Sequence, residues 1–388
     1  MNKETKEILK IIKSGITEDN IKISNEFSSE KFIELVGKHN IFALAYYGLL
    51  NCNALKDENL YNQLKKVAII GFYISEQQQH YINKISIQFH QNNIDHMFLK
   101  GSILKCLYPH PEIRRMGDID ILIKKEHYPK IIKIMNELGF AFCNESNHEL
   151  VWKKGNILIE FHKILMPSYN KDLHAYFGNG WKRAILKGKN CYTFSDEDMF
   201  IYIFSHFAKH FRDAGIGIIH MCDLYILLKT HKYDFEYINT ELKKLKLYEF
   251  WCNIKKTIDV WFLDSEDCKM TDFITDTILN SGSYGLKEKY DISGALKREK
   301  KYKNHFWKNI CITIGRIFPR CKSMAQKYEI LKKAPFLLPV FWVWRWFVII
   351  FTKRNKFKSE FHSMYGISEK EIHDYQDFLN YVGLDYNF

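Results

Sequence analysis

Apolar residues recur at spacings of three and four through the first ninety positions. KEILKIIKSGI, SEKFIELVGKHNIFALAYYGLL and the long run NLYNQLKKVAIIGFYISEQQQHYINKISIQFHQNN all carry this period, which predicts amphipathic helices forming a cap or arm. At Ile94 the texture changes. HMFLK is a short apolar run ending at Gly101-Ser102, ILKCLY returns to helical spacing, and DIDILI alternates carboxylate with isoleucine as a strand does. KEHYPKIIKIMNELGF predicts an amphipathic helix stopped at Gly139. FAFCN, HELVWKK and NILIEFHKI predict three more strands, the last two joined by the turn dipeptide Gly155-Asn156. After Pro167 the helical period resumes: Ser195 with Asp198 three residues later caps SDEDMFIYIFSHFAKHF, and GIIHMCDLYILLKTH and the segments to about Ser281 follow.

This pattern predicts an α+β protein, with a small mixed β-sheet, flanking helices and a mostly helical remainder. The expected divisions are a helical region over 1–93, an α/β core over 94–166, an all-helical domain over 167–290 and a basic, aromatic, helical region over 291–388. Length and composition agree: 388 residues, 46% hydrophobic, with 7 prolines and 19 glycines, exclude collagen-like and disordered classes. No internal repeat is evident, so a solenoid is unsupported.

Nine cysteines run from Cys52 to Cys321 without a C-x-x-C pair, which argues against a zinc ribbon or thioredoxin-type site. With a charged, amphipathic start in place of a secretory signal, reduced thiols and a cytoplasmic location are expected. The net charge of +12 is concentrated. Residues 297–358 hold seventeen Lys or Arg against two acids, Glu299 and Glu329, so the remainder of the chain is slightly acidic. Steering toward phosphates therefore belongs to that segment.

Candidate chemistry lies in the strand region. Alternation puts Asp118 and Asp120 on one face, with Ile119 and Ile121 on the opposite, buried face. Two carboxylates on one face repel, and a hard divalent cation is the usual remedy. Glu160, also between apolar neighbours, is expected on an adjacent antiparallel strand beside the pair, so that three acids could hold two ions about 4 Å apart. Gly101-Ser102 at a strand-to-helix turn offers backbone N–H groups and a hydroxyl to phosphates. Lys100, Arg114 and Arg115 bring positive charge near the same loop. His162, two residues beyond Glu160 on the same strand face, is placed to hydrogen-bond a metal ligand or a nucleotide. His206 and His210 share a helix face but lack an evident third ligand for zinc. The ordinary alternatives are exposed acids at a strand end, a cross-strand ion pair for Glu160 and solvated loop charges for Lys100 and Arg114.

The run LKGSILKCLYPHPEIRRMGDIDILI, with IEFHKI downstream, resembles the DNA-polymerase-β-type nucleotidyltransferase superfamily, in particular its branch of uncharacterised bacterial nucleotidyltransferases. HFAKHFRDAGIGIIHMCDLYILL and the basic end FPRCKSMAQKYEILKKAPFLLPVFWVWRWF extend the similarity over most of the chain after about Asp95. The resemblance implies that Gly101 and Ser102 contact nucleotide phosphates, that Asp118 and Asp120 bind two Mg²⁺ ions, with Mn²⁺ as a substitute, and that Glu160 completes the site and activates an acceptor hydroxyl. It thus implies transfer of a nucleoside monophosphate from an NTP to an acceptor, a small molecule, protein or RNA, with release of pyrophosphate. Three departures stand out: a step of sixteen residues from Ser102 to Asp118, glutamate in place of the commoner aspartate at 160, and Ile219 followed by His220 where an arginine is expected.

Ala334 to Phe351 is strongly apolar but contains Pro335, Pro339 and Arg345, so a membrane span is disfavoured. The simplest expectation is a buried aromatic helix. Peripheral membrane contact or nucleic-acid binding through residues 297–358 are the alternatives, and a non-catalytic protein using them is the competing functional reading.

Overall fold

The computed structural model describes residues 1–24, 28–52, 57–146, 148–167, 170–283, 285–301, 318–325, 328, 330–352 and 367–384. The chain divides into two compact units, Met1–Leu286 with Asn380–Phe388, and Lys287–Leu379. The three regions expected over 1–290 thus share nearly all of one unit.

That unit opens with α1 (Lys3–Thr17), α2 (Ser29–His39), α3 (Phe42–Asn51) and α4 (Glu58–Gln91). Side-chain caps start three of them: Asn2 accepts from the Thr5 amide, Ser28 from Lys31, and Asp57 from Asn59 and Leu60. The backbones of α1 and α3 approach so closely that a Cβ on Gly48 would lie 2.1 Å from the Ile11 carbonyl oxygen. Only glycine permits that contact.

The sheet has seven strands in the order β3-β4-β5-β2-β1-β7-β6. They are β1 (His96–Phe98), β2 (Ile119–Ile123), β3 (Ala141–Glu145), β4 (Glu149–Lys154), β5 (Ile157–His162), β6 (Ile185–Gly188) and β7 (Cys191–Thr193). Between them run the short α5 (Gly101–Leu104), α6 (Tyr128–Glu137) and α7 (Lys171–Phe177). The fold is α+β, and the sheet is mixed: β1 runs antiparallel to β2, while β2 and β5 are parallel.

Two expectations are corrected here. The strand carrying Glu160 is parallel to β2, not antiparallel, because the β3–β4–β5 meander returns to the sheet after the α6 crossover. The segment after Pro167 is not all helical either. β6 and β7 add the far edge of the sheet, with His96 of β1 paired to Cys191 of β7. Strands of four and three residues, none of them buried, hold too few alternations to announce themselves in sequence.

One face of the sheet is the core. Ile82, Ile85 and Phe89 of α4 and Ile131, Ile134 and Met135 of α6 pack on Ile119, Ile121, Trp152, Ile159 and Phe161. The even-numbered residues of β2 and β5 therefore face the other way, toward α8 (Asp196–Asp213) and α9 (Ile218–Thr230). Ser195 caps α8 by accepting from the Asp198 amide, as its spacing predicts. α10 (Phe235–Lys244), α11 (Tyr248–Phe262) and α12 (Lys269–Ser281) complete the helical side.

In the second unit, Met324, Ala325 and Leu331 form a small core with Leu337, Leu338, Phe341 and Trp342. The helix Leu338–Thr352 contributes Leu338, Phe341 and Trp342. Its other face is exposed, Val340 by 62% and Val343 by 71%, so the expectation of a buried helix fails there. Much of the basic segment, 302–317 and 353–366, lies outside the described residues. Among the described residues, no helix is long and apolar enough to cross a membrane.

Candidate active site

The parallel ladder between β2 and β5 places Asp120 directly opposite Glu160, and Leu122 opposite His162. Because both strands bury their odd-numbered residues, these polar side chains share the α8-facing surface. Asp120 Oδ1 lies 2.5 Å from His162 Nε2 and 2.8 Å from Lys100 Nζ, and His162 Nε2 lies 3.9 Å from Glu160 Oε2. Potential ligand atoms of Asp120, Glu160 and His162 all fall within 4.8 Å of one another.

Electrostatics separate the acids. Burial pushes Asp120 toward neutrality, but the Lys100 ammonium and His162 outweigh it and hold the carboxyl well below the ordinary range. Glu160 has no cation as close as these, His162 lying 3.9 Å away; burial, then the neighbouring Asp118, Glu149 and Asp120, push it up to about 7. Asp118 is likewise raised, by burial and then by Asp120. A cluster of carboxylates that resists full ionisation, with an imidazole beside it, is a donor set suited to a hard divalent cation, whose charge would remove the repulsion.

Lys100, Gly101, Arg114, Arg115, Asp118, Asp120, Glu160 and His162 all line one cavity of about 860 Å³. Within it the nearest third donor to Asp120 and Glu160 is His162, with Asp118 outside the 4.8 Å group. Lys100 adopts φ +46, a conformation disfavoured for a side chain with a Cβ. Its ammonium is fastened to Asp120, which holds the β1–α5 turn against the site. Gly101 follows at the start of α5, and a Cβ there would sit 2.8 Å from Met116 Cγ and Sδ. Ser102 does not line the cavity. It is buried, its amide donates to the Leu99 carbonyl, and its Oγ makes no hydrogen bond. That buried hydroxyl is a donor lacking an acceptor.

The arginines divide. Arg114 Nε donates to Asp223 Oδ1 at 2.7 Å, a buried pair that Tyr108 joins through its hydroxyl, also at 2.7 Å. Arg115 is exposed and donates to Asn40 Oδ1 at 2.7 Å. Asp223, which sequence reasoning missed, thus engages the guanidinium expected to meet phosphate. The signal was the Cys222-Asp223 dipeptide within α9, one turn after Ile219. Ile219 lines the cavity as an apolar wall, with His220 beside it.

His206 and His210 also face the cavity, with their Nε2 atoms 3.1 Å apart. Burial holds both imidazoles below their ordinary range, His210 to about 3 with Lys209 adding to the effect. Among the described residues no third ligand atom forms a close group with them.

Fold and site together define an α+β protein whose sheet presents a candidate metal-binding group of two carboxylates and an imidazole in one cavity. Residues 25–262 match the family described as uncharacterised nucleotidyltransferase, and the chain belongs to that family. No curated protein and no solved structure matches the chain.

Proposed function

We propose that the chain is a Mg²⁺-dependent nucleotidyltransferase, moving a nucleoside monophosphate from an NTP to a hydroxyl acceptor and releasing pyrophosphate. The observation that carries this reading is the in-register pair Asp120 and Glu160, with His162 and Asp118 beside it, in a cavity bordered by the Lys100-Gly101 turn.

Asp120, Glu160 and His162, with Asp118 for a second ion, are the residues that would hold the metal, Mg²⁺ or Mn²⁺. When bound, such a cation neutralises charge on phosphate oxygens and lowers the pKa of an acceptor hydroxyl. Glu160 is the residue to take the hydroxyl proton, on a carboxylate oxygen, as the acceptor oxygen attacks the α-phosphorus. The bond from that phosphorus to the α–β bridging oxygen breaks, and the β,γ-phosphates leave as pyrophosphate. Lys100 and Arg115 offset the charge of the triphosphate, and Arg114, held by Asp223, braces the wall. His162 keeps Asp120 oriented.

Incubation with γ-labelled NTPs, Mg²⁺ and a panel of alcohol, sugar, protein and RNA acceptors tests the reading. Pyrophosphate release by the wild type that disappears in Asp120→Asn and Glu160→Gln supports it. Equal release from these variants overturns it. The competing reading, a non-catalytic member of the family, draws on Ile219 and on the inward-turned Ser102. Calorimetry separates the two, because a protein that does not bind Mg·NTP cannot be the proposed transferase.

A further inference from the structure

The helix Leu338–Thr352 is apolar but for Arg345 and its terminal Thr352, a composition that ordinarily means burial on most sides. Its described residues differ in exposure. Leu338, Phe341 and Trp342 pack on the Met324–Leu331 core, whereas Val340, Val343, Trp344 and Phe347 are 62, 71, 54 and 55% exposed. With Phe336, 79% exposed just before the helix, and Pro339, they follow steps of three and four along one face, uninterrupted by a polar residue.

The charge around this stripe has one sign. Exposed Arg320 and Lys333 precede the helix in the described structure, and the sequence places Lys353, Arg354, Lys356 and Lys358 directly after it. Residues 297–358 contain only two acids in all.

We propose that this face docks on an anionic phospholipid surface, with the stripe entering the boundary of the acyl chains and the flanking cations meeting headgroup phosphates. A second copy of the chain would bring the same positive segment against itself, so self-association on this face is opposed by charge. RNA would satisfy the cations but not the valines and prolines, which offer no stacking surface and no hydrogen bond. A bilayer surface accommodates both features at once. Fifteen residues rise about 22 Å as a helix, less than the roughly 30 Å hydrocarbon core, so the helix lies on the surface and does not cross. The inference is independent of the nucleotide chemistry.

Flotation of the full chain with phosphatidylcholine vesicles, with and without about one-third phosphatidylglycerol, tests the docking. The expected result is flotation with the anionic vesicles alone, weakened at least about tenfold by raising salt from about 0.1 to 0.5 M. Val340→Glu/Val343→Glu, at exposed positions, should weaken it by a similar factor with an unchanged circular dichroism spectrum. No flotation with anionic vesicles overturns the proposal. So does flotation that the double variant leaves intact, or retention of an RNA oligonucleotide by a protein that ignores the vesicles.

Discussion

Asp120 and Glu160 stand opposite each other across the β2–β5 ladder, yet their neighbours shift the two carboxyls in opposite directions. Asp120 is pinned in its ionised form by Lys100 at 2.8 Å and His162 at 2.5 Å, whereas Glu160 is pushed up to about 7. One acid arrives with its countercharges. The other has His162 at 3.9 Å and three carboxylates around it.

Divalent cations should therefore stabilise the wild type. Mg²⁺ or Mn²⁺ raises the thermal midpoint, a chelator reverses the gain, and Asp120→Asn or Glu160→Gln abolishes it, because a ligand that binds only the folded state stabilises by mass action. A midpoint that ignores both cations in the wild type contradicts the donor-set argument.

Turnover should depend on the same groups. Asp120→Asn and Glu160→Gln are each expected to cut pyrophosphate release by at least about a hundredfold, since each removes charge that acts in the transition state. Asp120→Ala should also destabilise the fold, by about 3 kcal/mol in urea titration, because it leaves the Lys100 ammonium beside the site without its partner.

Arg114 and Asp223 are held as a buried pair, 10 and 2% exposed, with Tyr108 on the same carboxylate oxygen. Breaking it from one side, by Arg114→Met or Asp223→Leu, should cost about 3–5 kcal/mol, and the double variant should cost clearly less than the sum. Additive losses in denaturant titrations would mean the two side chains are not energetically coupled.

The His206 and His210 imidazoles set an acid limit. Their folded values lie below the ordinary 6.5, His210 at about 3, so the unfolded chain binds protons that the folded chain refuses. Stability from this pair is full above about pH 6.5 and is lost as pH falls toward 3. His206→Gln/His210→Gln should flatten the midpoint-versus-pH curve in that interval; an unchanged slope would assign acid unfolding to other groups.

Gly101 is constrained by packing as well as by its place at the turn. Gly101→Ala would force a methyl group to within 2.8 Å of Met116, itself buried, at a cost of about 1–3 kcal/mol. Met116→Ala in the same chain should recover part of that loss if the clash is the cause, which denaturant midpoints of the two variants would show.

Much of this was legible along the chain. Alternation in DIDILI and ILIEFH assigned Asp118, Asp120, Glu160 and His162 to the face opposite the isoleucines, since a strand's period of two leaves no other choice. Helical spacing located α1 to α4, the Ser195 cap marked the start of α8, and Gly155-Asn156 marked the β4–β5 turn. Local rules decide local outcomes. Which strand pairs with which, and in what register, is a long-range matter. Only the folded sheet made β2 and β5 parallel, set Asp120 against Glu160 and brought His162 closer than Asp118 to that pair. The same holds for Arg114, whose charge reads as a phosphate contact until a helix more than a hundred residues later delivers Asp223 to it. A side chain's chemistry is written in its residue type, but its partner is selected by the packing of distant elements, where burial makes the nearest opposite charge decisive.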